Sequence, residues 1–300
     1  MSTIVKDPDS ANPPNPFTSI IAPLFSTTNS EPQSETLTTI ATTLITTVST
    51  SPNPSTALWQ LWDTILIPTS HSLSAHNPTL SLLRAITSHP PTVPSNIDPA
   101  DPYAAHDLAS HISPSGHLVW SSLPRFSWSW RDFHDGLEAN RDRFPRGDEK
   151  AEYFPNFVEF SARFLKEWGK EGEVHPINVF YACRNGLEER MPEEDGKEGG
   201  GEGLSKREVW QVDVRVAAMW LKFGAGVLWE VEEGYLREHF ARTLDWGTGL
   251  WEEGKGLTRE RWALWAQRLR ELVGEKDWNG DVKALMGDAA EVVEGLLVRK

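Results

Sequence analysis

Residues 246–273 read WGTGLWEEGKGLTRERWALWAQRLRELV, and this stretch decides the fold class. Thr258 stands where a helix N-cap is wanted, since its hydroxyl can accept from a free N–H of the first turn. Behind it, Trp262, Trp265, Leu269 and Leu272 recur at intervals of three and four, on one helical face. Two indoles on one face describe a helix docked into a core. The glycines ahead of the cap permit a sharp bend.

The helical period continues on both sides. Upstream, Ser205-x-x-Glu208 is a capping box that opens a helix running to about Val231. Its Val209, Val212, Val216, Met219, Trp220, Phe223 and Val227 leave it apolar on two faces. Ala217, Ala218, Gly224 and Ala225 allow close approach, so it reads as the buried central helix. Asn156–Trp168 carries Phe157, Phe160, Phe164 and Trp168 on one stripe, and Ile177–Arg190 repeats the pattern with Val179, Phe180, Cys183 and Leu187. Ser127–Asp142 carries Trp128, Trp130, Phe133 and Leu137, and Ser115–Leu123 reads as a short helix closed by Pro124. Nearer the N-terminus, Glu35–Ser49 is helical by period. Ser55 is read as the cap of a helix that Pro68 should end or bend, and Asn77-Pro78 as the start of a third. Asp281–Val298 closes the series. Period-two alternation is never sustained, so the class is all-α: a multi-helix bundle or irregular helical array with a single Trp-rich core.

Composition shifts near Ser127, from Ser, Thr and Pro before it to Glu, Lys, Arg and Trp after it. Prolines 8, 13, 14 and 16 mark residues 1–16 as a disordered or loosely docked tail. Residues 17–300 read as one domain with mobile loops near 89–105, which is proline-rich, and near 191–204, which is glycine-rich and acidic.

A formal charge of −14 repels phosphate surfaces, so neither nucleic acid nor anionic lipid is an expected partner. The one cysteine, Cys183, excludes an internal disulfide and a cysteine-based zinc site, and its apolar helical setting suggests a buried thiol. The opening residues lack the layout of a secretory signal, and no apolar run reaches membrane-span length. A cytoplasmic location is expected, with the nucleus as the alternative.

Gly249 to Lys255 almost spells a phosphate loop, but Gly256 stands where Ser or Thr is required and two glutamates occupy the loop. It reads as a structural turn. His71, His76, His106, His111 and His117 lack the i, i+4 spacing of a helical zinc site, and no metal or other cofactor is expected. Asp132 and Asp135 do not complete the Asp-rich cluster of isoprenoid synthases. An Asp135-oriented His134 is conceivable, without a nucleophile beside it. The fourteen tryptophans are best read as core filler, although Trp128 and Trp130 cannot share one helical face, which marks one of them as a surface or groove residue. The candidate ligand or partner groove is bordered by Trp130, Arg131, His134, Arg259, Glu260 and Arg261. Arg261 is read first as the partner of a carboxylate that fixes its helix.

The pattern from Trp246 to Leu272, Gly-x-Gly-Leu-Trp, then Gly-Leu-Thr-x-Glu-Arg-Trp-x-x-Trp-x-x-Arg-Leu, resembles the C-terminal signature of a fungal family catalogued as domain of unknown function 3632. Ser122-Leu-Pro-Arg-Phe with Trp130-Arg-Asp, Asn156-Phe-Val-Glu-Phe-Ser-Ala-Arg and Val216-Ala-Ala-Met-Trp-Leu-Lys-Phe follow the order that family uses. Together they span Ser115 to Val273. The resemblance implies a helical, intracellular fungal protein and transfers no activity or catalytic residue. The functional expectation is a non-catalytic protein that binds an unknown protein partner or a small apolar ligand. The alternative is an enzyme of fungal specialised metabolism acting on an apolar substrate in the helical core. An enclosed cavity of a few hundred cubic ångströms or more with convergent polar groups would mark the enzyme, and a solid core with an exposed apolar patch the binder.

Overall fold

Helix caps and apolar stripes set where each element begins and what it packs against. The computed structural model describes residues 15–26, 34–94, 108–193, 203–252 and 256–299. Eleven α-helices lie among them, and the β-type pairing there is confined to two isolated bridges, Thr92 with Leu118 and Ile112 with Leu118. The all-α class therefore holds. Residues 1–14 of the expected tail, and most of the two expected mobile loops, fall outside the described residues. The chain divides into two units, residues 1–138 and 139–300.

Unit 1 contains α1 (Pro16–Ser26), α2 (Ser34–Ser49), α3 (Pro54–His71), α4 (His76–Thr87) and α5 (Phe126–Glu138). Helix α3 touches the other four, and its Leu58, Leu61, Trp62 and Ile65 are fully buried. The cap of α3 is Asn53, whose side chain accepts from the Thr56 N–H while Pro54 takes the first helical position. Ser55, expected as the cap, sits inside the first turn instead. Nor does Pro68 end the helix, which continues to His71. So late in a helix a proline forfeits one hydrogen bond, and the Thr69 and Ser70 hydroxyls bond back to the Leu66 and Ile67 carbonyls. Helix α4 starts at His76, just ahead of Asn77-Pro78, because a 3-10 turn over Leu73–Ala75 leads into it.

The expected helix at Ser115–Leu123 is a correction. Gly116 turns the chain at φ +80°, Leu118 exchanges backbone hydrogen bonds with Thr92, and only Trp120–Ser122 forms a 3-10 turn. The apolar residues are buried as expected, but so short a segment does not support a helix nucleus when a backbone partner is available. Leu123 and Arg125 then adopt positive φ around Pro124, whose carbonyl accepts from the Trp62 indole N–H at 2.7 Å.

Unit 2 contains α6 (Tyr153–Trp168), α7 (Ile177–Leu187), α8 (Lys206–Trp229), α9 (Glu233–Leu244), α10 (Arg259–Val273) and α11 (Gly280–Val298). Helix α8 is the central one, with α6, α7 and α11 packed on it, and its Ser205–Glu208 capping box is formed. Helix α10 packs on α11 and starts at Thr258, whose hydroxyl accepts from the Arg261 N–H. Close approach explains Gly186 on α7: a Cβ there would lie 2.5 Å from the Asp213 carbonyl oxygen on α8. Helix α7 stops at Leu187, three residues short of the expected Arg190.

All fourteen tryptophans lie among the described residues, and only Trp128 and Trp246 are exposed. Trp62 and Trp120 fill the core of unit 1, and Trp220, Trp262 and Trp265 that of unit 2. Among the described residues no helix is long and apolar enough to cross a membrane.

Candidate functional site

The residues expected to border a groove divide between the units. Trp130, Arg131 and His134 lie on α5 in unit 1; Arg259, Glu260 and Arg261 open α10 in unit 2. Trp130 is buried and stacks on the His134 ring at 5.0 Å, while Arg131 is exposed. The surface member of the Trp128–Trp130 pair is therefore Trp128, and the Arg125 guanidinium lies over both its ring and that of Trp59. His134 Nδ1 lies 3.3 Å from Asp135 Oδ1 and 3.9 Å from Glu138 Oε2, so these carboxylates orient the imidazole.

Arg261 is fully buried and so is its partner, Glu188, the residue that follows α7. Its Nε and Nη2 donate to the two carboxylate oxygens at 2.6 and 2.7 Å, and its Nη1 to the Leu244 and Gly256 carbonyls. Glu188 also accepts from the Trp265 indole at 2.8 Å and from Thr248 Oγ1 at 3.1 Å. The guanidinium lies 4.6 Å from the Phe180 ring centroid and 5.5 Å from that of Trp251. This geometry explains the spacing of Gly256, Thr258, Arg261 and Trp265. The glycine, at φ +86°, delivers a carbonyl, the threonine caps the helix, and the next two reach one carboxylate from the same face. Each charge is spent on a partner, so the node is architectural. Gly254 and Lys255 of the phosphate-loop look-alike lie outside the described residues. Glu260 is exposed; backbone hydrogen bonding at its own N–H, then the Thr258 hydroxyl, hold its carboxyl below the usual range.

Open space with polar groups lies elsewhere in unit 2. A cleft of about 310 Å³ is lined by Lys170, His175, Pro176, Val231, Glu232 and Tyr235. Three local structures build it: the 3-10 turn Gly169–Glu171, the His175-Pro176 lead into α7 and the start of α9. His175 Nδ1 accepts from the Ile177 N–H at 3.0 Å, which leaves the ring proton of the neutral imidazole on Nε2, 3.4 Å from the Tyr235 hydroxyl. The ring also packs against Phe240, where α9 breaks from helical geometry. Burial, and then the neighbouring His239, hold His175 below the ordinary imidazole range. A second hollow of about 180 Å³ shares Val231 and is bounded by Trp229, Leu236, Leu257 and Trp262, with Glu233 also in its wall. Arg259 lines it and lies over Trp229, with its guanidinium bonded to the Leu297 carbonyl beyond. Of the three expected groove residues on α10, Arg259 lines this hollow.

Sequence reasoning missed His175 and Tyr235, which are sixty residues apart and meet only because α7 and α9 begin side by side. The available signal was His175-Pro176 at a helix start, which marks a cap rather than a site. Cys183 is buried, as its helical setting suggested, and burial followed by the Glu188 charge raises its thiol well above the usual value. It is core filler, not a nucleophile.

No curated protein and no solved structure matches this chain. A family model described as protein of unknown function (DUF3632) matches residues 59–269, a span running from α3 to α10 that holds both the buried Arg261–Glu188 node and the cleft. That match covers well over half of the 300 residues, and the chain belongs to the DUF3632 family.

Proposed function

We propose that this protein is a non-catalytic binder of a small molecule with an apolar body and a polar head, seated in unit 2. The observation that carries the reading is a pair of hollows that share Val231 in their linings, one lined by Lys170, His175 and Tyr235 and the other by Trp229, Leu257 and Trp262. A few convergent polar groups beside an apolar wall is the usual form of a small-ligand site. Tyr235 is half exposed, so this is a surface cleft and not a chamber in the helical core, which favours binding over the catalytic alternative. Arg259 belongs to the apolar wall, whereas Glu260 and Arg261 serve the start of α10. Trp130, Arg131 and His134 take no part in this reading. A single, unpaired and buried cysteine suits the reducing cytoplasm.

Native mass spectrometry of the chain purified from its own cells, with thermal denaturation against a panel of small aromatic compounds, tests the proposal. The expected result is a retained small molecule, or a probe that raises Tm by roughly 5 °C at a hundredfold excess over its Kd. Val231→Trp, which places an indole at the residue both hollows share, should abolish either effect while preserving the helical circular dichroism. No retained mass and no Tm shift with any probe, or shifts unchanged in Val231→Trp, would remove the basis for this reading.

A further inference from the structure

The donors in the cleft share one sign. Lys170 brings an ammonium, and His175, with Nδ1 already engaged by the Ile177 N–H, can offer only Nε2–H when neutral. The Tyr235 hydroxyl stands 3.4 Å from that nitrogen. Two helices start at the cleft: Pro176 immediately precedes α7, and Glu232 immediately precedes α9. The start of α9 carries no side-chain cap hydrogen bond, that of α7 has its first N–H taken by His175 Nδ1, and the positive ends of both helix dipoles lie at the wall. Among the described residues of the lining Glu232 is the single carboxylate, and it is exposed, with its charge screened by water.

We infer that the polar head of the ligand is a carboxylate held between Lys170, Tyr235 and His175, and that seating it draws one proton onto the His175 imidazole. This rests on the reading of the cleft as a ligand site. The groups facing His175 are His239 and Tyr235 from α9, Lys170 from the turn before it, and Glu232 at the cleft wall. In the free protein, burial and then His239 disfavour the charged ring. A carboxylate at Nε2 reverses that preference, so ligand and proton bind together and affinity rises as pH falls. The proton comes from solvent, and no covalent bond is made or broken.

Three probes of similar shape separate the possibilities: benzoate, benzamide and benzylammonium, titrated by calorimetry against the full chain at pH 6 and pH 8. Benzoate, ionised at both, should bind at least tenfold tighter than either of the others at pH 6, and should weaken about tenfold by pH 8. Its binding enthalpy should depend on the buffer's ionisation enthalpy in the way one proton taken up requires. His175→Asn keeps an acceptor for the Ile177 N–H and should flatten the pH dependence, whereas His239→Asn should leave it in place. Equal affinity for benzoate and benzamide overturns the carboxylate while leaving the cleft as a ligand site. Benzoate affinity unchanged between pH 6 and pH 8, or falling as steeply in His175→Asn, overturns the proton coupling. Binding of none of the three overturns the inference together with the reading beneath it.

Discussion

Arg261 and Glu188 are both withdrawn from water, and such a pair persists only when its hydrogen-bonding groups are matched. Arg261→Met leaves Glu188 buried and facing two donors with no counter-charge, and should cost about 3–5 kcal/mol in urea denaturation. Arg261→Lys keeps the charge but not the fork, and should lose a substantial part of that. The double replacement Arg261→Met with Glu188→Met should cost less than the sum of the single ones. Additive losses would mean the two side chains do not act as a unit. That Arg261 pairs with a carboxylate was legible in its place beside Trp262. Which carboxylate was not, because Glu188 and Glu189 are equivalent in sequence, and only the end of α7 decides which one turns inward. Asp63 on α3 makes the opposite case. Burial first, then the charge of Asp132, raises its carboxyl to about 6. A raised carboxyl favours the protonated fold, so its contribution is intact below pH 4 and lost as pH climbs through about 6. Asp63→Asn should therefore stabilise the chain by roughly 1–2 kcal/mol at pH 7.5, after discounting for its partial exposure, and by almost nothing at pH 4. Thermal melts at the two pH values check the sign.

At the scale of elements, caps were the most legible signals and prolines the least. Ser205, Thr258 and the Trp262–Trp265 stripe act as their spacing predicts, because a cap and an apolar face are decided within one or two turns. Pro68 and the Leu118 segment did not, since the first stands in the last turn and forfeits a single helical hydrogen bond, and the second finds a backbone partner 26 residues away, at Thr92. The glycines of unit 2 separate helix propensity from packing. Gly226 on α8 has nothing within 4 Å of a notional Cβ, so Gly226→Ala should stabilise by about 0.5–1 kcal/mol through the unfolded chain and the helix alone. Gly186 on α7 would gain the same propensity, but its Cβ meets backbone atoms of Asp213 and Val214 at 2.5–2.9 Å, and a backbone cannot rotate aside. Gly186→Ala should lower Tm by forcing α7 off α8, a net loss of roughly 1–3 kcal/mol. If both substitutions raise Tm, the close approach of α7 to α8 is wrong.

On the scale of the whole chain, the fourteen indoles decide between a protein packed by its tryptophans and one that displays them. Apolar period placed most of them inside, but it could not rank Trp128 against Trp130, because two residues two apart on a helix straddle its inner and outer faces and either can point outward. The outward one is Trp128, together with Trp246 from the turn before α10. Each has one face covered by a guanidinium, Arg125 over Trp128 and Arg184 over Trp246, at 5.3 Å from the ring centroid in both cases. Acrylamide should therefore quench only a minor fraction of native emission, with a blue-shifted remainder from rings such as Trp62, Trp220 and Trp265 that have almost no exposed surface. Trp128→Phe combined with Trp246→Phe should remove most of that quenchable fraction without moving the buried emission or the denaturation midpoint, since neither ring fills a core. A double variant that still quenches as the parent does would place other indoles at the surface and break the account of how the core of each unit is filled. One that unfolds at markedly lower urea would show instead that these two rings carry packing energy, which their exposure denies.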